Sequence, residues 1–209
     1  LTGLSYFNPA TTLTYDNSTI STSQNRSNRV KIISGGGSGH APAHTGFVGD
    51  GMLSASVDGM VFASPNSAQV ERALNRLLAD DKGHEEGGGV LMVVKNYTGD
   101  VIQFGLARER SKFPSESIKM IVVGEDVALP RSQGKITGRR GLAATVLTYK
   151  IAGALAASGA SLDEVETIAK IVASSSGSIG VGLEHCHVPN GEPVIKEEGE
   201  GYLKSNELE

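Results

Sequence analysis

The chain has 209 residues, 19 basic and 23 acidic side chains, and a formal net charge of -4. This near-neutral balance argues against nucleic acid as a partner, because a basic surface is needed to hold a phosphate backbone. Cys186 is the single cysteine, which excludes an internal disulfide and a cysteine-based structural zinc site. The sequence contains neither an apolar run approaching the roughly 20 residues of a membrane helix nor the pattern of a secretory signal. These features favour a cytoplasmic protein without nucleic-acid or membrane partners.

An exposed segment and then a buried strand come first in chain order. Residues 8–28 are rich in asparagine, serine and threonine without apolar periodicity, which predicts an exposed loop. The β-branched run that begins at Val30 predicts a buried strand, and a glycine cluster at residues 35–39 follows it. Clustered glycines let the backbone turn sharply or approach a ligand closely. We therefore predict a ligand-binding cradle at the end of this strand.

Strands and helices alternate along the rest of the chain. Apolar runs predict strands at residues 52–57, 90–94, 118–123 and 178–183. Helical periodicity predicts helices over residues 70–78, 101–113 and 138–157, and Ser161 with Glu164 forms a capping box for another. This order predicts an α/β fold with an open, mostly parallel sheet and helices on both faces. Ligands of such sheets bind at the carboxyl ends of the strands.

The composition divides the chain into three predicted parts. Residues 1–28 form an exposed N-terminal segment, residues 29–191 an α/β domain, and residues 192–209 an acidic connector. Leu1 is not an initiator methionine, and the last residues carry no stop signal of any kind. We therefore interpret the sequence as a piece of a longer protein.

Three polar residues at predicted strand ends are candidates for chemistry. The imidazole of His40 can transfer a proton near neutral pH or hydrogen-bond a carbonyl oxygen, although an isolated histidine is often only structural. The carboxylate of Asp100 can accept a proton from a hydroxyl group, and Lys95 can fix an oxygen atom nearby. Asp100 could equally cap a helix N-terminus. Residue types and spacing leave these alternatives open.

Common catalytic signatures are absent from the glycine cluster. His40 stands where a P-loop carries lysine and where a dinucleotide fingerprint carries glycine or alanine. Ser38 lacks the second glycine of a nucleophile elbow, which argues against a hydrolase triad with His40 and Asp100. His185 and His187 would share one face of a strand, but two ligands do not make a metal site. We predict no metal site in this chain.

A set of motifs follows in order along the chain from about Val30 onwards: Gly35–His40 with Pro42 and His44, Gly51–Leu53, Phe62–Pro65, Lys95–Asp100, Gly138–Gly141 and Gly180–Cys186. Together these motifs resemble the substrate-binding K domain of dihydroxyacetone (glycerone) kinases, most closely the single-chain, ATP-dependent eukaryotic members. The resemblance implies that residues 29–191 are an incomplete substrate-binding K domain.

The resemblance implies a function and a set of site residues. Members transfer phosphate from ATP to dihydroxyacetone or glyceraldehyde, and the K domain holds the triose through a covalent bond between a histidine and the carbonyl carbon. By motif position, Asp100 is the base toward the hydroxyl that receives phosphate, and His40 hydrogen-bonds the substrate and assists the chemistry. The pocket is expected to be lined by Gly37, Ser38, Gly39, His40, Lys95 and Asp100.

The resemblance also implies what this chain lacks. The covalent histidine is expected shortly after Glu209, and ATP and Mg²⁺ are expected on a separate helical domain of the same protein. We therefore expect the chain alone to bind no cofactor and to be inactive, and the parent protein to form a homodimer. Ala41 replaces a glutamate and Asp58 replaces a small residue or cysteine of the family pattern. These departures keep open a noncatalytic protein that binds a small carbonyl compound or regulates a partner.

Overall fold

A computed structural model describes residues 8, 10–14, 19–22, 29–79, 88–129 and 138–181. Its six strands are β1 (Thr11–Leu13), β2 (Thr19–Thr22), β3 (Val30–Ser38), β4 (Ala55–Val61), β5 (Gly89–Lys95) and β6 (Ile118–Val123). They form one sheet in the order β1-β2-β4-β3-β5-β6. Strands β3 to β6 pair in parallel, whereas β1 and β2 add to the β4 edge as antiparallel strands. The predicted open, mostly parallel sheet is confirmed.

Four α-helices cover the two faces of the sheet. They are α1 (Ser67–Leu78), α2 (Thr98–Arg110), α3 (Ala144–Ala157) and α4 (Leu162–Ser175), with short 3-10 helices at Thr45–Phe47 and Ser115–Ser117. On one face, α1 and α2 pack on a core that contains Ile33 and Met92. On the other face, α3 and α4 pack on Ile32 and Leu91. Adjacent strand residues thus point to opposite cores, as expected for strands buried on both faces.

Two helices begin at capping boxes. Asn66 caps α1, with a reciprocal hydrogen bond from its backbone to the side chain of Gln69. Ser161 and Glu164 form the same arrangement at the start of α4. The predicted capping box at Ser161 is confirmed because its two partners are neighbours in sequence and need no tertiary context.

The loop predicted over residues 8–28 is wrong at β1 and β2. Thr19, Ile20 and Ser21 are buried, and β2 pairs with residues 55–57 of β4. Two strands of three and four residues are too short for apolar alternation to stand out from a polar composition.

Other element boundaries differ from the prediction because neighbouring strands decide them. Strand β3 does not stop at the glycines but continues through them to Ser38, pairing with β4 across a bulge. Strand β4 covers Ala55–Val61 rather than residues 52–57. The predicted strand at residues 178–183 reduces to a single bridge between Ser178 and Asp126 within the described residues, and Leu183 lies outside them.

The helix predicted from Gly138 begins six residues later, at Ala144. A side chain on Gly141 would overlap the carbonyl of Val123, so this segment runs close against the strand ends. The carboxylate of Glu125 accepts hydrogen bonds from the backbone N–H groups of Leu142 and Ala144. A cap supplied by the segment after β6 fixes where α3 starts, and sequence periodicity does not reveal it.

The sheet order places a crevice beside β3. Strand β4 lies on one side of β3 and β5 on the other, so the segments that follow β3 and β5 leave the sheet in different directions. In open α/β sheets, ligands bind outside the carboxyl ends of strands at such a switch point. Among the described helices, none has the length and hydropathy that a membrane crossing requires.

Candidate functional site

A pocket of about 340 Å³ lies at the carboxyl ends of β3 and β5. Both predicted catalytic residues, His40 and Asp100, face this pocket. Its wall is formed by Gly37, His40, Phe62, Ser64, Lys95, Tyr97 and Asp100. A larger groove of about 660 Å³ beside β6 and α4 contains none of the predicted site residues. The sheet therefore brings the glycine segment and the Lys95–Asp100 segment to one pocket.

Asp100 is a buried carboxyl group with an unusual balance of contacts. It lies in the first turn of α2 and is 4% exposed. Burial raises the pKa of Asp100, opposed by a hydrogen bond from Ser64 and by the charge of Lys95. The Oδ1 atom has no hydrogen-bond partner among the described residues. The arrangement provides a base stronger than an ordinary aspartate, with one oxygen available to a ligand.

The alternative that Asp100 caps a helix is wrong. Tyr97 occupies the N-cap position of α2 and makes no side-chain cap hydrogen bond, whereas Asp100 lies three residues further along. A carboxylate in the first turn still gains from the positive end of the helix dipole. The helix therefore favours the charged form of Asp100 electrostatically while burial opposes it.

His40 is exposed at the rim of the pocket, and its neighbours fix its orientation. Its Nδ1 atom lies 3.0 Å from the carbonyl oxygen of Gly37. Because a carbonyl only accepts, Nδ1 carries the proton and Nε2 is left for a ligand. The ring of Phe62 packs edge-on against the imidazole, with centroids 5.7 Å apart and an interplanar angle of 84°.

Phe62 holds an unusual backbone conformation next to the site. Its φ of 54° lies in the left-handed region that few residues other than glycine adopt. The backbone N–H of Phe62 donates to the carbonyl of Ser38. Strained residues of this kind are found where a site needs a side chain in one position. In this site the ring of Phe62 is held against the imidazole of His40.

Lys95 brings a positive charge to the pocket from the end of β5. Its ammonium group lies 5.2 Å from the ring centre of Tyr97. Burial lowers the pKa of Lys95, and attraction by Asp100 and Glu125 opposes this effect. The lysine can therefore hold a ligand oxygen or balance the charge of Asp100.

Two residues predicted to line the pocket are placed differently. The Ser38 hydroxyl donates to the carbonyl of Gly59 at 2.6 Å and so links β3 to β4. Gly39 has a φ of 106° and lies under the ring of Phe62, where a Cβ would come within 2.6 Å of the ring. Neither belongs to the pocket wall. Both instead shape the turn that carries His40.

Sequence reasoning did not identify four residues at or near the site as functional groups. Phe62, Ser64 and Tyr97 line the pocket, but the sequence marks them only as members of motifs. His44 is buried, 3% exposed, and its Nε2 atom lies 3.7 Å from the position that a Cβ on Gly36 would take, but the sequence marks it only as a motif member. In each case the sequence does not show which way the side chain points at a turn.

Polar residues at the end of β6 serve the fold rather than the pocket. Glu125 caps α3, and Asp126 accepts a hydrogen bond from Arg140 at 3.0 Å. His185 and His187 lie outside the described residues. Within residues 29–79, 88–129 and 138–181, no three His, Cys, Asp or Glu side chains gather as metal ligands would.

Comparison with known proteins identifies the family. The model of the Dak1 domain matches residues 2–209. The dihydroxyacetone-binding subunit DhaK of the PTS-dependent dihydroxyacetone kinase of Lactococcus lactis is 43% identical over 88% of this chain and 52% of its own length.

Solved structures agree with this match. The dihydroxyacetone kinase from C. freundii in complex with AMP-PNP and Mg²⁺ is 38% identical, with a TM-score of 0.79 over 92% of this chain and 35% of that one. The dihydroxyacetone kinase operon co-activator Dha-DhaQ is 31% identical, with a TM-score of 0.83 over 99% of this chain and 59% of that one.

The match to whole kinases is partial in length. The chain spans between 28% and 34% of three curated yeast dihydroxyacetone kinases that are 39% to 45% identical to it. The Dak1 match nevertheless runs through nearly all of this sequence, and the sheet and helices agree with the solved relatives. The chain belongs to the Dak1 domain family of dihydroxyacetone kinases.

Proposed function

We propose that this chain forms most of the triose pocket of a dihydroxyacetone kinase. One observation carries the proposal: His40 and Asp100, from two separate segments, line one pocket of about 340 Å³. A pocket of this size suits a small polar ligand, and His40, Lys95 and Asp100 bring polar groups to its wall. The name of the L. lactis relative, a dihydroxyacetone-binding subunit, supports the same ligand.

In this proposal Asp100 is the general base. The transferred phosphoryl group needs a deprotonated hydroxyl oxygen as nucleophile, and a carboxylate within hydrogen-bond reach can take that proton. Burial raises the pKa of Asp100 and so strengthens the base, while Lys95 and Ser64 keep the charged form accessible. The O–H bond of the substrate breaks, and its proton passes to Asp100.

His40 and Lys95 orient the substrate in this proposal. The free Nε2 of His40 hydrogen-bonds an oxygen of the triose, and Gly37 allows the backbone to approach it closely. Lys95 holds a second oxygen of the triose. Ser38 and Gly39, predicted as pocket-lining residues, contribute through the turn that presents His40. Holding a small molecule at several points lowers the entropic cost of reaching the reactive geometry.

We assign ATP and Mg²⁺ to another domain of the parent protein, as the family resemblance implies. The described residues do not fit this pair, since the glycine segment lacks the lysine of a P-loop and three metal-ligating side chains do not gather there. The solved kinase of C. freundii contains AMP-PNP and Mg²⁺ in a chain that this sequence covers to only 35%. We also propose that residues 29–191 form the substrate-binding domain and that the parent protein is a cytoplasmic homodimer.

The test is a phosphorylation assay on the full-length protein with ATP, Mg²⁺ and dihydroxyacetone. We expect turnover in the wild type, and a loss of about 10²- to 10⁴-fold in kcat for Asp100→Asn, because a general base contributes that much. Glu109→Gln, on an exposed position of the same helix, is the matched control and should retain full activity. Unchanged turnover in a folded Asp100→Asn variant would remove Asp100 from the role of base.

A regulatory protein is the second candidate function. The co-activator Dha-DhaQ shares this fold over 99% of the chain, and Ala41 removes a carboxylate beside His40 that the family pattern has. A regulator would bind the triose without transferring phosphate to it. Binding of dihydroxyacetone by the full-length protein, without turnover under any ATP and Mg²⁺ concentration, would favour this function over the kinase.

A further inference from the structure

The imidazole of His44 has a protonation state that its contacts define. The Ser34 hydroxyl lies 2.7 Å from the carbonyl oxygen of Val93, which only accepts, so Ser34 donates its proton there. The same hydroxyl oxygen lies 3.2 Å from Nδ1 of His44. With its proton already committed, Ser34 accepts from Nδ1–H. His44 therefore carries its proton on Nδ1 and an unprotonated lone pair on Nε2.

This lone pair is buried and unpartnered. His44 is 3% exposed, and its Nε2 atom has no hydrogen-bond partner among the described residues. Burial lowers the pKa of His44 to about 3, helped by the nearby charge of Lys95, so the ring is neutral at physiological pH. A buried acceptor without a donor is energetically unfavourable, so such atoms in native proteins call for a partner.

The lone pair lies beside the two groups that the proposed function uses. A Cβ atom placed on Gly36 would lie 3.7 Å from Nε2 of His44, 3.6 Å from Oδ2 of Asp100 and 3.8 Å from Cε of Lys95. Gly36 thus marks the point where the three side chains converge. The other carboxyl oxygen of Asp100, Oδ1, is a second buried acceptor without a hydrogen-bond partner among the described residues. Buried acceptors of this kind require a donor, and hydroxyl groups supply one.

We propose that His44 is a further substrate-positioning residue, whose Nε2 accepts a hydrogen bond from a hydroxyl group of the bound triose in front of Gly36. This inference rests on the proposed function. It deepens that function because a neutral acceptor nitrogen forms a hydrogen bond with a hydroxyl group. It forms none with a carbonyl oxygen, which has no proton to donate. The site would then select ligands by their hydroxyl groups, and the lack of side-chain bulk at Gly36 would be part of that selection.

The test uses variants that separate the two nitrogen atoms of His44. His44→Asn places an amide nitrogen near the Nδ1 position, so it retains the donor to Ser34 but has no acceptor at the Nε2 position. His44→Gln carries its amide oxygen about as far out as Nε2. In calorimetric titrations of the full-length protein with dihydroxyacetone, we expect His44→Asn to weaken binding about tenfold, the value of one lost hydrogen bond. His44→Gln should recover most of that loss.

Gly36→Ala tests the same point from the opposite side. Its added methyl group meets its neighbours at ordinary contact distances, so the fold should tolerate it, while the methyl group fills the position proposed for the hydroxyl. We expect an unchanged Tm and weaker binding of dihydroxyacetone. In turnover assays both Gly36→Ala and His44→Asn should raise KM more than they lower kcat, as expected for residues that position the substrate.

The outcomes separate this inference from the proposed function. If the wild type fails to bind dihydroxyacetone, the proposed function fails and this inference fails with it. If the wild type binds and folded His44→Asn binds equally well, only the role of His44 is overturned. Should His44→Asn not fold, the ¹⁵N resonance of the unprotonated Nε2 in the wild type decides. It should shift on saturation with dihydroxyacetone, and an unmoved resonance contradicts the inference.

Discussion

Asp58 is a buried carboxyl group, 6% exposed, where the family pattern has a small residue or cysteine. The hydroxyl groups of Thr45 and Ser56 donate hydrogen bonds to it. Burial raises the pKa of Asp58, and these two hydrogen bonds oppose the rise. Because Thr45 follows His44 directly, this carboxyl helps to hold the turn that carries His44. Its burial is tolerated through these local hydrogen bonds.

We predict that Asp58→Asn stabilises the protein at neutral pH. A carboxyl whose pKa is raised by folding binds its proton more tightly in the native state, so stability is lost as the pH rises through that pKa. A neutral amide avoids this loss and still accepts from Thr45. The Tm of the variant should exceed that of the wild type at pH 8, and the difference should disappear near about pH 4, where aspartate in the unfolded chain titrates.

Glu109→Gln is the control for the Asp58 measurement, since Glu109 is exposed. Thermal unfolding at several pH values should show no comparable gain for it. A wild type that is more stable than Asp58→Asn at pH 8 would mean that the charged form makes an interaction that outweighs its burial.

At the scale of the element, glycines in two helices have opposite environments. Gly105 in the middle of α2 has no atom within 4 Å of the position that a Cβ would take. Gly153 in α3 packs on the preceding loop, and a Cβ there would lie 2.7 Å from the carbonyl oxygen of Met52 and 2.8 Å from that of Gly51. The first glycine only weakens its helix, whereas the second allows α3 to approach the loop after the site.

We predict that Gly105→Ala and Gly153→Ala change stability in opposite directions. Alanine at an unobstructed helix position gains about 0.5–1 kcal/mol over glycine. Alanine at position 153 must push the loop away, and overpacking of this kind costs about 1–3 kcal/mol. Chemical denaturation at one pH measures both values. Equal effects from the two substitutions would show that α3 does not pack on residues 51–52 as described.

Sequence periodicity was sufficient for elements whose determinants are local. The apolar face of α1, the fully buried run of β5 and the cap at Ser161 all follow from residues within a few positions of one another. Sequence periodicity failed where a distant part of the chain determines whether an element forms or where it begins. Strand β2 exists because β4 offers an edge, and α3 starts at Ala144 because Glu125 supplies its cap.

The candidate site likewise contains residues that the sequence identified and residues whose orientation it could not show. Motif order pointed to His40, Lys95 and Asp100, which the structure brings to one pocket. The sequence could not show that the Ser38 side chain turns away toward Gly59, because side-chain direction depends on the bulge between β3 and β4. Nor could it show the orientation of His44, which is set by Ser34 from ten residues away.

At the scale of the whole molecule, the site lies at the switch point of the sheet, between β3 and β5. The chain spans 28% to 34% of three yeast dihydroxyacetone kinases. In the proposed function it supplies the substrate pocket, and other parts of the parent protein supply the phosphoryl donor. The proposed division explains why polar groups for a small ligand converge here, while no group of metal ligands is present among the described residues. Function in this account depends on one pocket shared by two segments.

The most direct measurement is a crystal structure of the full-length protein soaked with dihydroxyacetone. We predict ligand density in the pocket formed by Gly37, His40, Lys95 and Asp100, with one hydroxyl oxygen within hydrogen-bond distance of the Asp100 carboxylate. Ligand density at another place, or a ligand in this pocket whose hydroxyl groups lie beyond the reach of Asp100, would contradict it.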